Sequence, residues 1–263
     1  MAEAILSRLL AQQLYYPDNV LVSEPQAPRR EILAQKYRVK VTSDNRQTAA
    51  SASEVLLLAI KPQVFKTVAA ELAPESGGNR QLTQQLPVVV SILAGMPLSQ
   101  LESAFGRQPV IRVMPNTLAT VGAGITAIAT GSTVKSEQIA KTKAIFEAVG
   151  EVVEVPEHLM DAITALSGSG PAYVAIMIES LTDGGVAAGL PRAIASQLAL
   201  STVLGTATLL KESQIHPAQL KDRTASPGGT TIAGIAQLER AGFRSALIEA
   251  VQTAYRRSKE LGQ

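Results

Sequence analysis

The chain has 263 residues, of which 46% are hydrophobic and 17% charged, and a formal net charge of +2. This balance excludes a disordered chain, and the length allows two domains that each bury a core. The absence of cysteine excludes disulfides, a thiol nucleophile and thiolate metal sites. Without long Lys/Arg runs, the small net charge gives no reason to expect a nucleic-acid partner.

The first segment, from Ala2 to Leu14, predicts a helix with its apolar side chains on one face. Glu3 and Arg8 interrupt it, so it lacks the uncharged core of a signal peptide. No uncharged apolar run reaches the roughly 18 residues that suggest a membrane span. We therefore expect a cytoplasmic protein without a membrane partner.

Between Val20 and Pro156, short β-branched runs alternate with helical patterns, which indicates an α/β domain over residues 1–156. Several runs are apolar throughout, as expected for strands buried on both faces of a mainly parallel sheet, whereas the last two alternate and are expected nearer an edge. Residues 73 to 87 become polar and glycine-bearing, which predicts a surface loop. The predicted strands are 20–23, 39–42, 55–60, 88–93, 110–114, 125–129 and 151–155.

This α/β pattern begins with a helix. A doubly wound sheet usually holds a dinucleotide with a glycine-rich turn between its first strand and first helix, and no such turn precedes Val20. A strand of about five or six residues and a Gly-x-Gly-x-x-Gly turn would restore the standard arrangement. Either that strand has been lost, or the chain never bound a nucleotide in the usual way.

After Pro156 the strand pattern stops, and residues 157–263 are predicted to be helices broken by Gly and Pro. The segments from Pro171 to Ala188 and from Pro191 to Leu210 have few charges on any face. Such helices must be buried nearly all round, and a bundle of roughly a hundred residues cannot do that alone. We expect a homodimer through this half; packing against the α/β half is the alternative.

Residues 225–234, Ala-Ser-Pro-Gly-Gly-Thr-Thr-Ile-Ala-Gly, predict a flexible turn followed by a helix. Gly228 and Gly229 permit positive φ and a close approach to a ligand, and Thr230 or Thr231 can cap the helix. Free N–H groups and the positive end of the helix dipole then favour a carboxylate or phosphate. The alternative is a capped helix after a glycine loop, without a ligand.

Four segments carry a resemblance that extends over the whole chain: Ala-Ile-Lys-Pro-Gln at 59–63, Met-Pro-Asn-Thr at 114–117, Ala-Leu-Ser-Gly-Ser-Gly-Pro-Ala-Tyr at 165–173 and the turn at 225–234. Together they closely resemble the pyrroline-5-carboxylate reductase family. The resemblance implies a Rossmann-like N-terminal domain, here without its first strand and glycine-rich turn, followed by an all-α domain for dimerisation and substrate at 157–263. It also implies reduction of 1-pyrroline-5-carboxylate to L-proline with NAD(P)H, the last step of proline biosynthesis, by a homodimer or a higher assembly of dimers.

Family members usually open with a strand and a Gly-x-Gly-Asn-Met-Ala turn, and residues 1–5 match the family pattern directly after that Asn. A misplaced start codon is one explanation of this departure, which the upstream genomic sequence would decide. A chain that truly lacks the turn, and so binds nucleotide poorly, is the other.

By resemblance, Thr231 is the catalytic candidate, because its hydroxyl would hydrogen-bond the ring nitrogen and help deliver a proton. The competing interpretation is that Thr231 only caps the helix. Imine reduction needs no strong base and no metal, and we expect no metal site. The turn's N–H groups and hydroxyls would bind the substrate carboxylate at Ser226, Gly228, Gly229 and Thr230.

The cofactor contacts implied by the resemblance follow strand ends, where ligands bind in such sheets. Each has a structural alternative, since prolines end strands, lysine can simply be solvated and asparagine suits a turn. A carboxylate after the second strand, as at Glu24, favours NAD, whereas an arginine such as Arg29 or Arg30 favours the 2′-phosphate of NADP. The family resemblance favours NADP as the cofactor. The contacts are Ser23, Asn45, Ala59, Lys61, Pro62 and Asn116.

Two other functions remain open. A hydroxyacid dehydrogenase would need a catalytic lysine on the first long helix of its second domain, and residues 173–179 contain none. A non-catalytic dimeric binding or regulatory protein is supported only by the missing turn, and the intact Ser-Pro-Gly-Gly-Thr-Thr speaks against it.

Overall fold

The computed structural model describes residues 1–72 and 86–262, and the chain forms two compact units. One comprises Met1–Gly168 with Ala254–Gln263, and the other comprises Ser169–Thr253. The surface loop predicted between residues 73 and 87 lies almost wholly outside the described residues.

The first unit contains seven strands among its described residues, matching the seven predicted runs. Its helices are α1 (Ala2–Ala11), α2 (Ala27–Tyr37), α3 (Asn45–Ser51), α4 (Phe65–Leu72), α5 (Leu98–Phe105), α6 (Ser136–Glu147) and α7 (Met160–Ile163). Its strands are β1 (Leu21–Ser23), β2 (Lys40–Thr42), β3 (Val55–Leu58), β4 (Val88–Ser91), β5 (Val110–Met114), β6 (Gly124–Thr130) and β7 (Gly150–Glu154).

These strands form two sheets. Strands β3 to β7 lie in sequence order and are parallel except that β6 runs antiparallel to β5, whereas β1 and β2 form a separate parallel pair. All four residues of β4 are buried, as predicted for a central apolar run. Strand β7 lies at the edge, as its alternation predicts, whereas β6 lies inside, between β5 and β7.

Helix α1 contacts both sheets through different side chains. Ile5 and Leu9 belong to the apolar cluster of β4 and β5, while Leu6 packs with Leu33 of α2 and Val39. The helix ends at Ala11 rather than at the predicted Leu14, because Gln13 takes a positive φ of 56° that breaks the helical path.

The second unit is helical throughout its regular elements, as predicted. It contains α8 (Gly170–Ala187), α9 (Arg192–Ser213), α10 (Pro217–Thr224), α11 (Thr230–Arg240) and the first part of α12 (Phe243–Leu261), whose last turns belong to the first unit. A π-helical turn, Thr164–Gly168, ends the first unit immediately before α8. That turn was not predicted.

The two long helices α8 and α9 bury little of their apolar surface within the single chain. The only buried residues are Thr182 in α8 and Ala195 and Ala199 in α9, while Leu204 is 66% exposed. Helix α9 is also long and apolar enough to cross a membrane, with a mean hydropathy of 1.5 and 11% of that window buried. This finding concerns length and composition only, and because Ser, Gln and Thr interrupt the helix it does not contradict the expectation that no uncharged apolar run reaches about 18 residues.

Candidate functional site

The glycine–threonine turn, residues 225–229, connects α10 to α11 within the second unit. Gly228 takes a φ of +69°, and Gly229 N–H donates to the Ser226 carbonyl at 3.1 Å. A Cβ at Gly229 would collide with Ser226 Oγ, so a larger residue there would displace the Ser226 side chain. The hydrogen bond between Gly229 N–H and the Ser226 carbonyl closes the turn, and Gly229 occupies the N-cap position of α11.

Neither Thr230 nor Thr231 caps the helix, so that expectation is wrong. Both lie inside α11, and no side chain caps its first N–H groups. The first acceptor in the helix, the Gly229 carbonyl, receives Ala233 N–H at 3.4 Å. The N–H groups of residues 230 to 232 have no acceptor in the described part of the chain. They therefore offer donors at the positive end of the dipole, where an anion binds favourably.

The Thr231 hydroxyl has no hydrogen-bond partner within the described ranges, and its residue is half-buried. A hydroxyl that is not used for capping is available to a ligand at the same helix end. The turn therefore combines main-chain donors for an anion with a side chain that can donate a hydrogen bond to a nitrogen.

The structure brings together two of the predicted cofactor residues in the first unit. Ser23 is the last residue of β1 and Asn45 the first of α3, and Ser23 Oγ donates to Asn45 Oδ1 at 2.7 Å. Asn45 Nδ2 in turn donates to Glu71 Oε2 at 2.7 Å. These bonds hold the loops that follow β1 and β2 against each other.

Three further predicted residues follow β3. Ala59 comes directly after the strand, and Lys61 and Pro62 begin the short 3₁₀ turn Pro62–Val64. Lys61 is exposed, while Ala59 and Pro62 are half-buried. The set therefore lies at the carboxyl end of a parallel strand, as predicted.

Asn116, which follows β5, is only 4% exposed. Its Nδ2 donates to the Ser167 carbonyl at 3.1 Å, and its Oδ1 is buried without a partner in the described ranges. The contact joins the loop after β5 to the π-helical turn. Gly168 lies beside the same loop, since a Cβ there would be 2.7 Å from Met114 Cε. Prediction from sequence missed Ser167 and Gly168 as structural partners, although their glycine-rich motif was a signal.

Charged side chains near the end of β1 come from the loop after the strand and from the first turn of α2. Arg30 Nη1 donates to the Glu24 and Pro25 carbonyls at 2.7 and 2.8 Å, and Glu24 Oε1 accepts from Gln26 N–H at 2.9 Å. Arg29 is ion-paired with Glu3 of α1.

Glu3 also accepts from Tyr37 Oη at 2.7 Å and from Lys36 Nζ at 3.0 Å. The hydrogen bond from Tyr37, together with those from Arg29 and Lys36, lowers the pKa of Glu3 from 4.5 to about 2. Glu3 therefore stays ionised and holds both cations near α1.

Half-buried hydroxyl, amide and main-chain groups at the ends of β1 and β3, with a guanidinium beside β1, suit a phosphorylated dinucleotide. Among the described residues no group of three or more His, Asp or Glu side chains is placed to hold a metal ion.

Known proteins resemble this chain over its whole length. A family model described as pyrroline-5-carboxylate reductase dimerisation matches residues 157–261, and one described as NADP oxidoreductase coenzyme F420-dependent matches residues 1–95. A pyrroline-5-carboxylate reductase of Synechocystis is 62% identical over 100% of this chain and 95% of its own length. One of Arabidopsis thaliana is 40% identical over 100% and 92%.

Solved structures of such reductases are also similar to this chain. The pyrroline-5-carboxylate reductase of Coxiella burnetii has a TM-score of 0.88 and 34% identity, covering 100% of this chain and 95% of its own. The pyrroline carboxylate reductase of Plasmodium falciparum, solved with NADP bound, has a TM-score of 0.87 and 29% identity, covering 99% and 94%.

Proposed function

The chain belongs to the pyrroline-5-carboxylate reductase family of NADP-dependent oxidoreductases, and we propose which of its residues hold substrate and cofactor. It reduces the C=N bond of 1-pyrroline-5-carboxylate to give L-proline. The Rossmann-like first unit and the helical second unit are the architecture that this family uses. The alternative of a non-catalytic binding protein has no support among the relatives.

The substrate carboxylate binds at the glycine–threonine turn. The unpaired N–H groups of residues 230 to 232 are the observation that carries this proposal, because a carboxylate supplies the acceptors they lack. Ser226, Gly228, Gly229 and Thr230 form the rest of the carboxylate site. The Thr231 hydroxyl donates to the ring nitrogen, which must gain a proton as the imine becomes an amine.

NADPH supplies the hydride to the imine carbon when it is bound. The residues that would hold it are Ser23, Asn45, Ala59, Lys61, Pro62 and Asn116. Their positions at or just after the ends of β1, β2, β3 and β5 support this assignment, since ligands bind at the carboxyl ends of strands in such sheets.

Replacing Thr231 by Val tests the role of its hydroxyl. Valine keeps the shape of threonine but cannot donate to the nitrogen, so we expect kcat to fall about a hundredfold or more. Thr231→Ser keeps the hydroxyl and is the matched control, which should retain most of the activity. Steady-state kinetics with 1-pyrroline-5-carboxylate and NADPH measures both. An unchanged kcat and KM in a folded Thr231→Val variant would remove Thr231 from the mechanism.

The chain acts as a cytoplasmic homodimer, or as a higher assembly of such dimers, in proline biosynthesis. The match of residues 157–261 to a dimerisation model and the exposed apolar side chains of α8 and α9 support the dimer. We divide the chain functionally into residues 1–156 for dinucleotide binding and 157–263 for dimerisation and substrate. The end of the strand pattern after β7 supports that division.

A further inference from the structure

The loop after β1 and the first turn of α2 carry charges that favour opposite cofactors. Glu24 could bond the ribose diol of NAD, and Arg29 or Arg30 could bind the 2′-phosphate of NADP. The contacts of each side chain distinguish among these possibilities.

Arg29 is already engaged. Its Nη2 donates to Glu3 Oε2, so its charge is opposed by the carboxylate that also binds Lys36 and Tyr37. The low pKa of Glu3 keeps that carboxylate ionised. A phosphate at Arg29 would have to compete with this ion pair.

The Glu24 carboxylate is also engaged, in a hydrogen bond within the loop. Its Oε1 accepts from the main-chain N–H of Gln26 at 2.9 Å, two residues further along. This local bond closes the turn that leads into α2. The carboxylate would have to leave it to accept fully from a ribose diol.

Arg30 is held but retains free donors. Its Nη1 donates to the Glu24 carbonyl at 2.7 Å and the Pro25 carbonyl at 2.8 Å, which fixes the half-buried guanidinium beside the end of β1. The Nε and Nη2 groups have no partner in the part of the chain that the structure describes. Two donors of a rigid fork are the geometry that binds a phosphate bidentately.

We infer that Arg30 binds the 2′-phosphate of NADP and sets the preference for NADPH over NADH, while Arg29 does not. The inference rests on the proposed cofactor site at the end of β1. Ser23 Oγ lies at the same strand end and donates to Asn45, so the end of β1, next to the loop that Arg30 contacts, is tied to the start of α3.

Binding of 2′,5′-ADP and of 5′-AMP, measured by calorimetry without turnover, tests Arg30 directly. In Arg30→Gln we expect the Kd of 2′,5′-ADP to rise about tenfold or more, because a charge-assisted pair of hydrogen bonds is lost. The Kd of 5′-AMP, which lacks the 2′-phosphate, should stay nearly constant. Arg29→Gln is the matched control and should leave both constants nearly unchanged.

Kinetics extend the test to the whole cofactor. Arg30→Gln should lower kcat/KM for NADPH and leave that for NADH nearly unchanged, while Arg30→Lys, which keeps the charge without the fork, should lie between it and the wild type. The inference is overturned if Arg30→Gln binds 2′,5′-ADP as the wild type does, or if Arg29→Gln loses as much. A wild-type chain that binds 2′,5′-ADP but does not reduce 1-pyrroline-5-carboxylate would instead overturn the proposed function.

Discussion

Asn116 shows how one buried amide connects distant segments. In a regular α-helix the carbonyl of residue 167 would accept from the N–H of residue 171, which is proline and has none. Asn116 Nδ2 supplies the missing donor from 51 positions away in sequence. Because the Ser167 carbonyl can only accept, it also fixes which end of the amide faces it. Asn116 therefore positions the π-helical turn.

Changing Asn116 should cost stability in a definite order. Asn116→Leu leaves the Ser167 carbonyl without its donor, and we expect a loss of about 1–3 kcal/mol. Asn116→Asp places a carboxylate oxygen against that carbonyl in a buried position and should cost more. Urea denaturation measures both, with Thr117→Ala, an exposed neighbour, as the control. Two variants as stable as the wild type would show that the contact does not hold the turn.

The sequence predicted that Asn116 belongs to the site because its motif resembles a family motif. It could not predict the Ser167 contact, since that depends on a π-helical turn that no local periodicity specifies. The prediction that Thr230 or Thr231 caps α11 was wrong for a related reason. The turn closes through Ser226 and Gly229, so Gly229 is the N-cap and Thr230 is already the first residue of α11.

Among the regular elements, the strands were the easiest to predict, because β-branched apolar runs indicate buried strands without further context. Their pairing was not predictable from the runs alone. The separation of β1 and β2 from the other five strands depends on which edges meet, a tertiary property. The direction of β6, which runs antiparallel to β5, was also not predictable, because the apolar pattern of a strand does not encode its direction.

Helix α1 is tied to α2 by Glu3, which makes the stability of this unit depend on pH. The pKa of Glu3 is lowered in the folded state, so its contribution is present above the usual value of 4.5 and is lost as pH falls towards about 2. Its partners are partly exposed, and solvent screening limits the contribution to about 1 kcal/mol. Glu3→Gln should therefore destabilise the chain at pH 6 and have little effect near pH 2.

Chemical denaturation of the wild type and Glu3→Gln across this range checks the prediction. Glu31→Gln, an exposed position on α2 without an ion pair in the described ranges, is the control and should cost little at pH 6. A constant difference between wild type and Glu3→Gln from pH 6 to pH 2 would contradict the role of Glu3 as an ionised link.

At the scale of the whole molecule, the second unit does not bury its own apolar surface. Leu200 and Leu204 of α9 are 55% and 66% exposed, and Ile176 of α8 is 62% exposed. Exposed apolar side chains on two long helices that pack against each other indicate an interface with a protein or a membrane. The dimerisation model that covers these helices favours a second copy of the chain.

A charge on this surface should therefore break the dimer. Leu204→Glu would bury a carboxylate in the interface, and we expect the dimer dissociation constant to rise about a hundredfold or more. Val121→Glu makes the same change at a position that is 73% exposed in the first unit, and should leave the dimer intact. Sedimentation equilibrium distinguishes a dimer from a single chain of 27.6 kDa. A Leu204→Glu variant that remains dimeric would place the interface elsewhere, and a wild type that is monomeric but floats with lipid vesicles would assign α9 to a membrane instead.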